Sequence, residues 1–255
     1  MQIHPLTTNE RTRLADYRVW FGPLEESPLS LTAAQLLDPL TLKPFLSQLQ
    51  DRLGAPDLRT AASIFSKRYG YLMTVPVFYS FSVWNKALQL QQEQMGLAPS
   101  DSEEHWLPRL GLPDTVLQPE SAEERSELRD TLIQSVFANH LEPLWQVLSE
   151  TASISKQVLW ENTAVYLFWL YEVHMEADFP QEVRARASED FKYVLYQADR
   201  SLFGSGQQHP FAKFHTEKQP IGEKMIRIRQ TCCLTYMASG SYCSTCPKAP
   251  SVIQS

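Results

Sequence analysis

The four cysteines of this chain all lie in its last 24 residues: Cys232 beside Cys233, a nine-residue spacer, then Cys243-Ser-Thr-Cys246-Pro247. The 231 residues before them contain none. Four thiolates brought to one place can hold a metal centre. Structural zinc is usually held by two C-x₂₋₄-C knuckles, and only Cys243–Cys246 forms one here. Adjacent side chains of an extended chain point to opposite faces, so Cys232 and Cys233 reach one zinc ion only across a bent backbone. Two disulfides suit a secreted protein, but the start Met1-Gln-Ile-His-Pro-Leu lacks the apolar core of an export signal. A [2Fe–2S] cluster spreads four thiolates over two irons, which is a wider target. A C-x₂-C-P end also occurs in iron–sulfur ligand runs. Spacing alone leaves iron–sulfur, zinc, and reactive or disulfide thiols open.

The residues leading into the cysteines alternate. Over 224–231, apolar and basic residues exchange as in a short half-buried strand. Arg227 and Arg229 share one face, opposite Ile226 and Ile228. That face is either a solvated strand surface or a basic lining for an anionic ligand. Lys67 and Arg68 carry the same two readings, surface or substrate contact. His209 and His215 read as plain loop histidines or as neighbours of the site. The six histidines show no H-x-x-x-H or H-E-x-x-H spacing, which removes a zinc-hydrolase reading. No G-x-G-x-x-G occurs, so bound NAD or FAD is not expected. Gly204-Ser-Gly206 follows a helical run and reads as a helix stop, not a phosphate loop.

The body must position these groups. A net charge of −6 argues against general nucleic-acid binding. The apolar runs 71–84 and 158–173 are too short to cross a bilayer or carry Glu161, Asn162 and Glu172, so no transmembrane segment and a cytoplasmic location are expected. Aromatics in the second run (Trp160, Tyr166, Phe168, Trp169, Tyr171) have helical spacing and read as core, with Glu161 and Glu172 facing a cleft or solvent. Helices are expected over 31–53 with Ser30 or Asp38 as cap, and over 57–95 with Asp57 as cap and a kink or split at Pro76. Others are expected over 121–148 behind a Ser121/Glu124 capping box, with a bend at Pro143, and over 156–175. A last one, over 181–203, should expose Glu182, Arg184, Arg186, Glu189 and Asp190. Between 96 and 120, prolines and glycines forbid a long helix, and extended pieces at 105–110 and 115–117 suggest a hairpin turning at 111–114. The fold class is mainly α (α+β): two packed helical lobes, 1–120 and 121–223, with that hairpin at their seam. A short C-terminal strand leads into the cysteine segment 224–255.

Ile228-Arg-Gln-Thr-Cys-Cys-Leu-Thr-Tyr followed by Tyr242-Cys-Ser-Thr-Cys-Pro resembles the C-terminal signature of the FhuF-type ferric-siderophore reductases. In that signature adjacent cysteines, about ten residues and C-x₂-C hold a [2Fe–2S] cluster. Leu159-Trp-Glu-Asn-Thr-Ala-Val-Tyr and Ser66-Lys-Arg-Tyr-Gly-Tyr-Leu-Met-Thr-Val-Pro-Val are similar to two of the family's helices. The resemblance implies that Cys232, Cys233, Cys243 and Cys246 ligate the cluster and that Arg229 matches an arginine of the signature. It implies one-electron reduction of an imported ferric siderophore by an external donor such as reduced flavin or ferredoxin. Ferrous iron binds hard oxygen ligands less tightly and is then released. The helical body also resembles the C-terminal part of the IucA/IucC-type siderophore synthetases, but no ATP-binding signature accompanies it. Two rivals stand beside the reductase: a siderophore- or iron-binding or sensing module without turnover, and a structural Cys₄ zinc protein.

Overall fold

The computed structural model describes residues 1–24, 29–98, 106–176, 179–204 and 209–253. The chain opens with strand β1 (Gln2–Pro5), helix α1 (Thr8–Asp16) and strand β2 (Val19–Trp20). Helices α2 (Ala33–Leu36), α3 (Pro39–Leu53) and α4 (Leu58–Trp84) follow. Then come strands β3 (Ala87–Leu88), β4 (Gly96–Ala98), β5 (Arg109–Gly111) and β6 (Thr115–Gln118). Helices α5 (Ala122–Val136), α6 (Glu142–Ala152), α7 (Lys156–Trp169) and α8 (Gln181–Lys192) complete the body. Strands β7 (Gln219–Ile221) and β8 (Lys224–Ile226) pair as a hairpin before the cysteines, and the short helices α9 (Tyr236–Ser239) and α10 (Pro250–Ile253) end the chain. The protein is mainly helical with small sheets, as its sequence pattern requires.

Local side chains start the helices. Asp57 accepts from the Thr60 N–H at 2.7 Å, Asp38 from the Leu40 N–H at 3.1 Å and Ser121 from the Glu124 N–H at 3.2 Å. Each bond satisfies one of the unpaired donors at a helix start, worth about 1 kcal/mol. One expected cap moves: Thr32, with Gln35 in a reciprocal box, opens α2 in place of Ser30. Pro76 does not split α4, which runs unbroken to Asn85. A helix-interior proline costs about 3 kcal/mol. α4 is the central helix, and its fully buried Phe65, Tyr69, Met73 and Val77 each contribute about 1.5–3 kcal/mol of burial, which outweighs that cost.

α4 packs most closely on α7. At Gly70, a Cβ would sit 3.0 Å from Thr163 Oγ1 and 3.1 Å from Thr163 Cα. A glycine inside a helix gives up roughly 0.5–1 kcal/mol relative to alanine, and here it lets the two backbones approach. The apolar core is continuous from Leu6 to Phe214 and draws on both 1–120 and 121–223.

The hairpin expected at 105–117 does not form. β5 lies between β2 and β4, and β6 lies between β1 and β3, in two separate three-stranded sheets. Both edges of each strand are already paired, so neither has a free ladder to offer the other. His105, at the start of the first expected piece, lies outside the described residues, as does Gly206. The helix over 121–148 passes through a π-helical turn at Phe137–Leu141 just before Pro143, and that over 156–175 ends in another at Leu170–His174. Asp190 is not on an exposed face. It is buried, accepts from Arg125 at 2.7 Å and 3.0 Å, and receives the Ser82 hydroxyl at 2.8 Å. No helix among the described residues is long and apolar enough to cross a membrane.

Candidate metal centre

The cysteines arrive from two short loops. β8 ends at Ile226, the chain bends at Gln230 and Thr231 on its way to the cysteine pair, and one helical turn, α9, lies in the spacer. Gly240, at φ 72°, ends that turn, and Tyr236 stacks on Tyr242 with ring centroids 4.8 Å apart. The thiols meet as two pairs. Cys232 Sγ lies 3.9 Å from Cys246 Sγ, and Cys233 Sγ lies 3.8 Å from Cys243 Sγ. For a tetrahedral ion with metal–sulfur bonds of about 2.3 Å, the sulfur–sulfur edge is about 3.8 Å. Among the described residues no three Cys, His, Asp or Glu side chains are grouped about a single ion position. Cys233 and Cys246 are buried while Cys232 and Cys243 are partly exposed, so each pair has one cysteine nearer the surface.

Donors surround the sulfurs. The Leu234 N–H points to Cys232 Sγ and the Lys248 N–H to Cys246 Sγ, both at 3.4 Å. Thr235 Oγ1 lies 3.2 Å from Cys233 Sγ, and Lys67 Nζ lies 3.9 Å from it. The hydrogen bond from Cys243 pushes Cys233 down to about 4 against its burial, and Lys67, Thr235 and Arg229 assist. Cys243 is correspondingly pushed up. Leu234 holds φ 58°, a left-handed conformation rare for a bulky side chain, directly beside the cysteine pair.

A polar clasp from the body fixes this segment. Asn162 of α7 donates to Ser63 O at 3.0 Å and Ser66 Oγ at 2.9 Å, and its carbonyl accepts from Arg229 at 2.5 Å. Glu161 accepts from the backbone N–H of Gln230 at 2.6 Å and of Thr231 at 2.7 Å, and from the Thr231 hydroxyl. Ser63 of α4 donates to Cys233 O at 2.7 Å. Nothing in the sequence marks Glu161, Asn162, Ser63 and Ser66 as ligands or contacts of the cysteine segment. Their one trace is a polar residue inside an otherwise apolar helix.

The basic residues divide. Arg229 is 5% exposed, so it is not on a solvated strand face. It reaches Asn162 and lies 3.6 Å from Glu161, while its Nε and Nη1 have no hydrogen-bond partner. Arg227 clasps Glu172 at 2.8 Å and 2.9 Å. Lys67 stands at the cysteines. Arg68 turns away: it donates to the Trp106 carbonyl and covers that ring at 5.8 Å, so it does not join the group. His209 is tied into its loop by Val194 O and the N–H groups of Phe211 and Ala212. His215 lies between Tyr196 and Glu172, at 2.6 Å from each.

These features suit a four-thiolate centre: paired sulfurs, backbone donors to sulfur, and cations beside an anionic group. Buried guanidinium N–H groups without partners are costly unless an acceptor approaches. Sulfur ligands carrying negative charge supply that acceptor chemistry.

Among solved structures, the chain is similar to the aerobactin synthetase IucC from a hypervirulent pathotype of Klebsiella pneumoniae, at 16% identity and a TM-score of 0.49. That match covers 76% of this chain and 37% of the synthetase, so the chain spans little more than a third of its length. No curated protein matches. Residues 63–218, which include most of α4, all of α7 and the Ser63, Glu161 and Asn162 side of the clasp, match the family described as "Ferric iron reductase FhuF-like transporter", and the chain belongs to that FhuF-like family.

Proposed function

We propose that this protein is a ferric-siderophore reductase that passes one electron at a time to chelated Fe(III) and releases Fe(II) in the cytoplasm. The family supports a ferric-reductase role in general. The matched residues stop before the cysteines, so the centre is argued from the cysteines themselves. The observation that carries the reading is the arrangement of four thiols in two pairs at 3.8 Å and 3.9 Å. Cys232 with Cys246 would hold one iron and Cys233 with Cys243 the other. When bound, a [2Fe–2S] cluster supplies a one-electron carrier at these sulfurs.

The chain's own residues then set the conditions. Lys67 and Arg229 place positive charge beside the sulfurs, which favours the more negative, reduced state and raises the potential. The Leu234 and Lys248 N–H groups do the same through hydrogen bonds. The partly exposed residues Cys232 and Cys243 are the side from which a donor and a chelate would approach the centre. No bound nicotinamide or flavin fingerprint accompanies them, so a separate donor, such as reduced flavin or ferredoxin, must supply the electron.

The test is direct. Protein purified without air should contain iron and acid-labile sulfide in equal amounts, bleach with dithionite, and give a reduced-state EPR signal. Mixed with a ferric chelate, the reduced protein should regain its colour as a ferrous-specific dye registers iron. A colourless protein holding one zinc ion on the four cysteines would overturn the reading, and a cluster that no ferric chelate reoxidises would remove the reductase.

A further inference from the structure

Beside the cysteine knuckle lies a groove of about 760 Å³, within the usual range for a small-molecule site. One side is α7 and the π-turn after it; the other is Phe214, Lys218, strand β8 and the chain leading to the cysteines. Its lining includes Ser244 and Thr245, the two residues between Cys243 and Cys246. A molecule in the groove is therefore against the backbone that carries the cysteines.

The walls hold large apolar groups open to solvent. Trp169 is 38% exposed, Val173 55% and Met225 62%, and all three line this groove. Exposed apolar groups gathered in one concavity mark a binding surface more often than a bare one. The charge is one-sided. Four cations (Lys218, Lys224, Arg227 and Arg229) meet two carboxylates, in a chain whose net charge is −6. Both carboxylates are already engaged: Glu172 by Arg227, His215 and Lys218, and Glu161 by two backbone N–H groups. Partial burial opposes ionisation of Glu172, but the His215, Arg227 and Lys218 hydrogen bonds outweigh it and hold the group well below the usual carboxylate range. Lys224 has no carboxylate partner among the described residues and is exposed. The excess charge of the groove is thus positive and close to apolar surface.

We propose that this groove is where the ferric chelate docks, and that it selects chelates combining net negative charge with aromatic arms, as catecholate ligands do, over neutral chelates of similar size. The proposal rests on the reductase reading for the identity of the metal complex. The selectivity follows from the groove alone.

Gallium(III) has the charge and size of ferric iron and cannot be reduced under these conditions, so it separates binding from turnover. The cluster-loaded protein is titrated with a gallium tris-catecholate and with a neutral gallium tris-hydroxamate, by calorimetry and by tryptophan fluorescence. The anionic chelate should bind at least about tenfold more tightly at low salt, and the preference should shrink as ionic strength rises. Lys224→Glu should remove most of that preference, and Trp169→Ala should weaken both chelates about tenfold. Iron content and absorbance of each variant report whether the centre is intact. Equal affinity for the two gallium chelates overturns the proposal. So does a preference that survives in a Lys224→Glu/Met225→Asp protein with its centre intact. Either result, with ferric chelates still reduced, removes the groove and keeps the reductase. Selective gallium binding by a protein that reduces no ferric chelate does the reverse.

Discussion

The α4–α7 pair and the cysteine segment 227–249 solve opposite problems. α4 and α7 are helices whose backbone groups pair internally and whose faces are buried in one continuous core. The cysteine segment has one helical turn, a single backbone bond across its two loops (Arg229 N–H to Thr245 O, 3.0 Å) and two partly exposed cysteines. The body is held by apolar burial, which is non-directional and spread over dozens of side chains. The segment is held by a few directed polar bonds and by what four thiols can bind. The body tolerates a proline in its central helix. The segment has little to spare when one contact is removed.

The sharpest way to break this contrast is Cys233→Ser. Cluster absorbance and ferric reduction should be lost completely. Far-UV helicity should stay near wild type, while hydrogen exchange over 227–249 should rise to that of an unprotected chain. Unfolding of α4 and α7 in concert would show that the two regions are one cooperative unit. Asn162→Leu comes next, because Asn162 is where the regions meet. It leaves Ser63, Ser66 and the buried Arg229 without their shared partner and should cost about 3 kcal/mol in urea unfolding. A cost below about 1 kcal/mol would mean that the clasp is idle. The smallest effect is the pH response. Burial pushes His140, which meets Tyr69 at 2.6 Å, down to about 4. The unfolded chain takes up that proton near pH 6.5 and the folded one only near 4, so the unfolded state binds more protons between them. Stability from this group is complete above about pH 6.5, falls by up to about 3 kcal/mol as pH drops to 4, and then levels off. The Glu172 clasp in the cysteine region has a depressed carboxylate and should hold until pH falls below the ordinary glutamate range. Urea midpoints against pH, with His140→Phe as reference, should show the first slope in wild type and not in the variant.

Much of this was legible in the chain itself. Asp38, Asp57 and Ser121 cap helices through partners two or three residues away, and interactions that short are written in neighbouring letters. The expected hairpin failed for the converse reason: which strand fills each edge of β5 and β6 is decided by β1 and β2 at the far N-terminus and by β3 and β4. Arg229 shows the same limit. An alternating apolar and basic run reads as a half-exposed strand, and nothing within it reveals that α7 holds a carboxylate and an amide ready to accept a guanidinium.

By itself the sequence determined the helical class, the helix starts and the four cysteines, because each depends on residue type and short spacing. Only the tertiary structure decided which sulfurs pair, that Lys67 reaches them and the charge of Arg229 acts on them while Arg68 turns away, and that a cationic, apolar groove opens beside them. The bonds that seat the cysteine segment on the body include ones between residues 67 and 170 positions apart, Arg229 to Asn162 and Ser63 to the Cys233 carbonyl. Bonds of that span form only when the burial of α4 against α7 has already brought their ends together, and burial depends on the whole core rather than on any one stretch of chain.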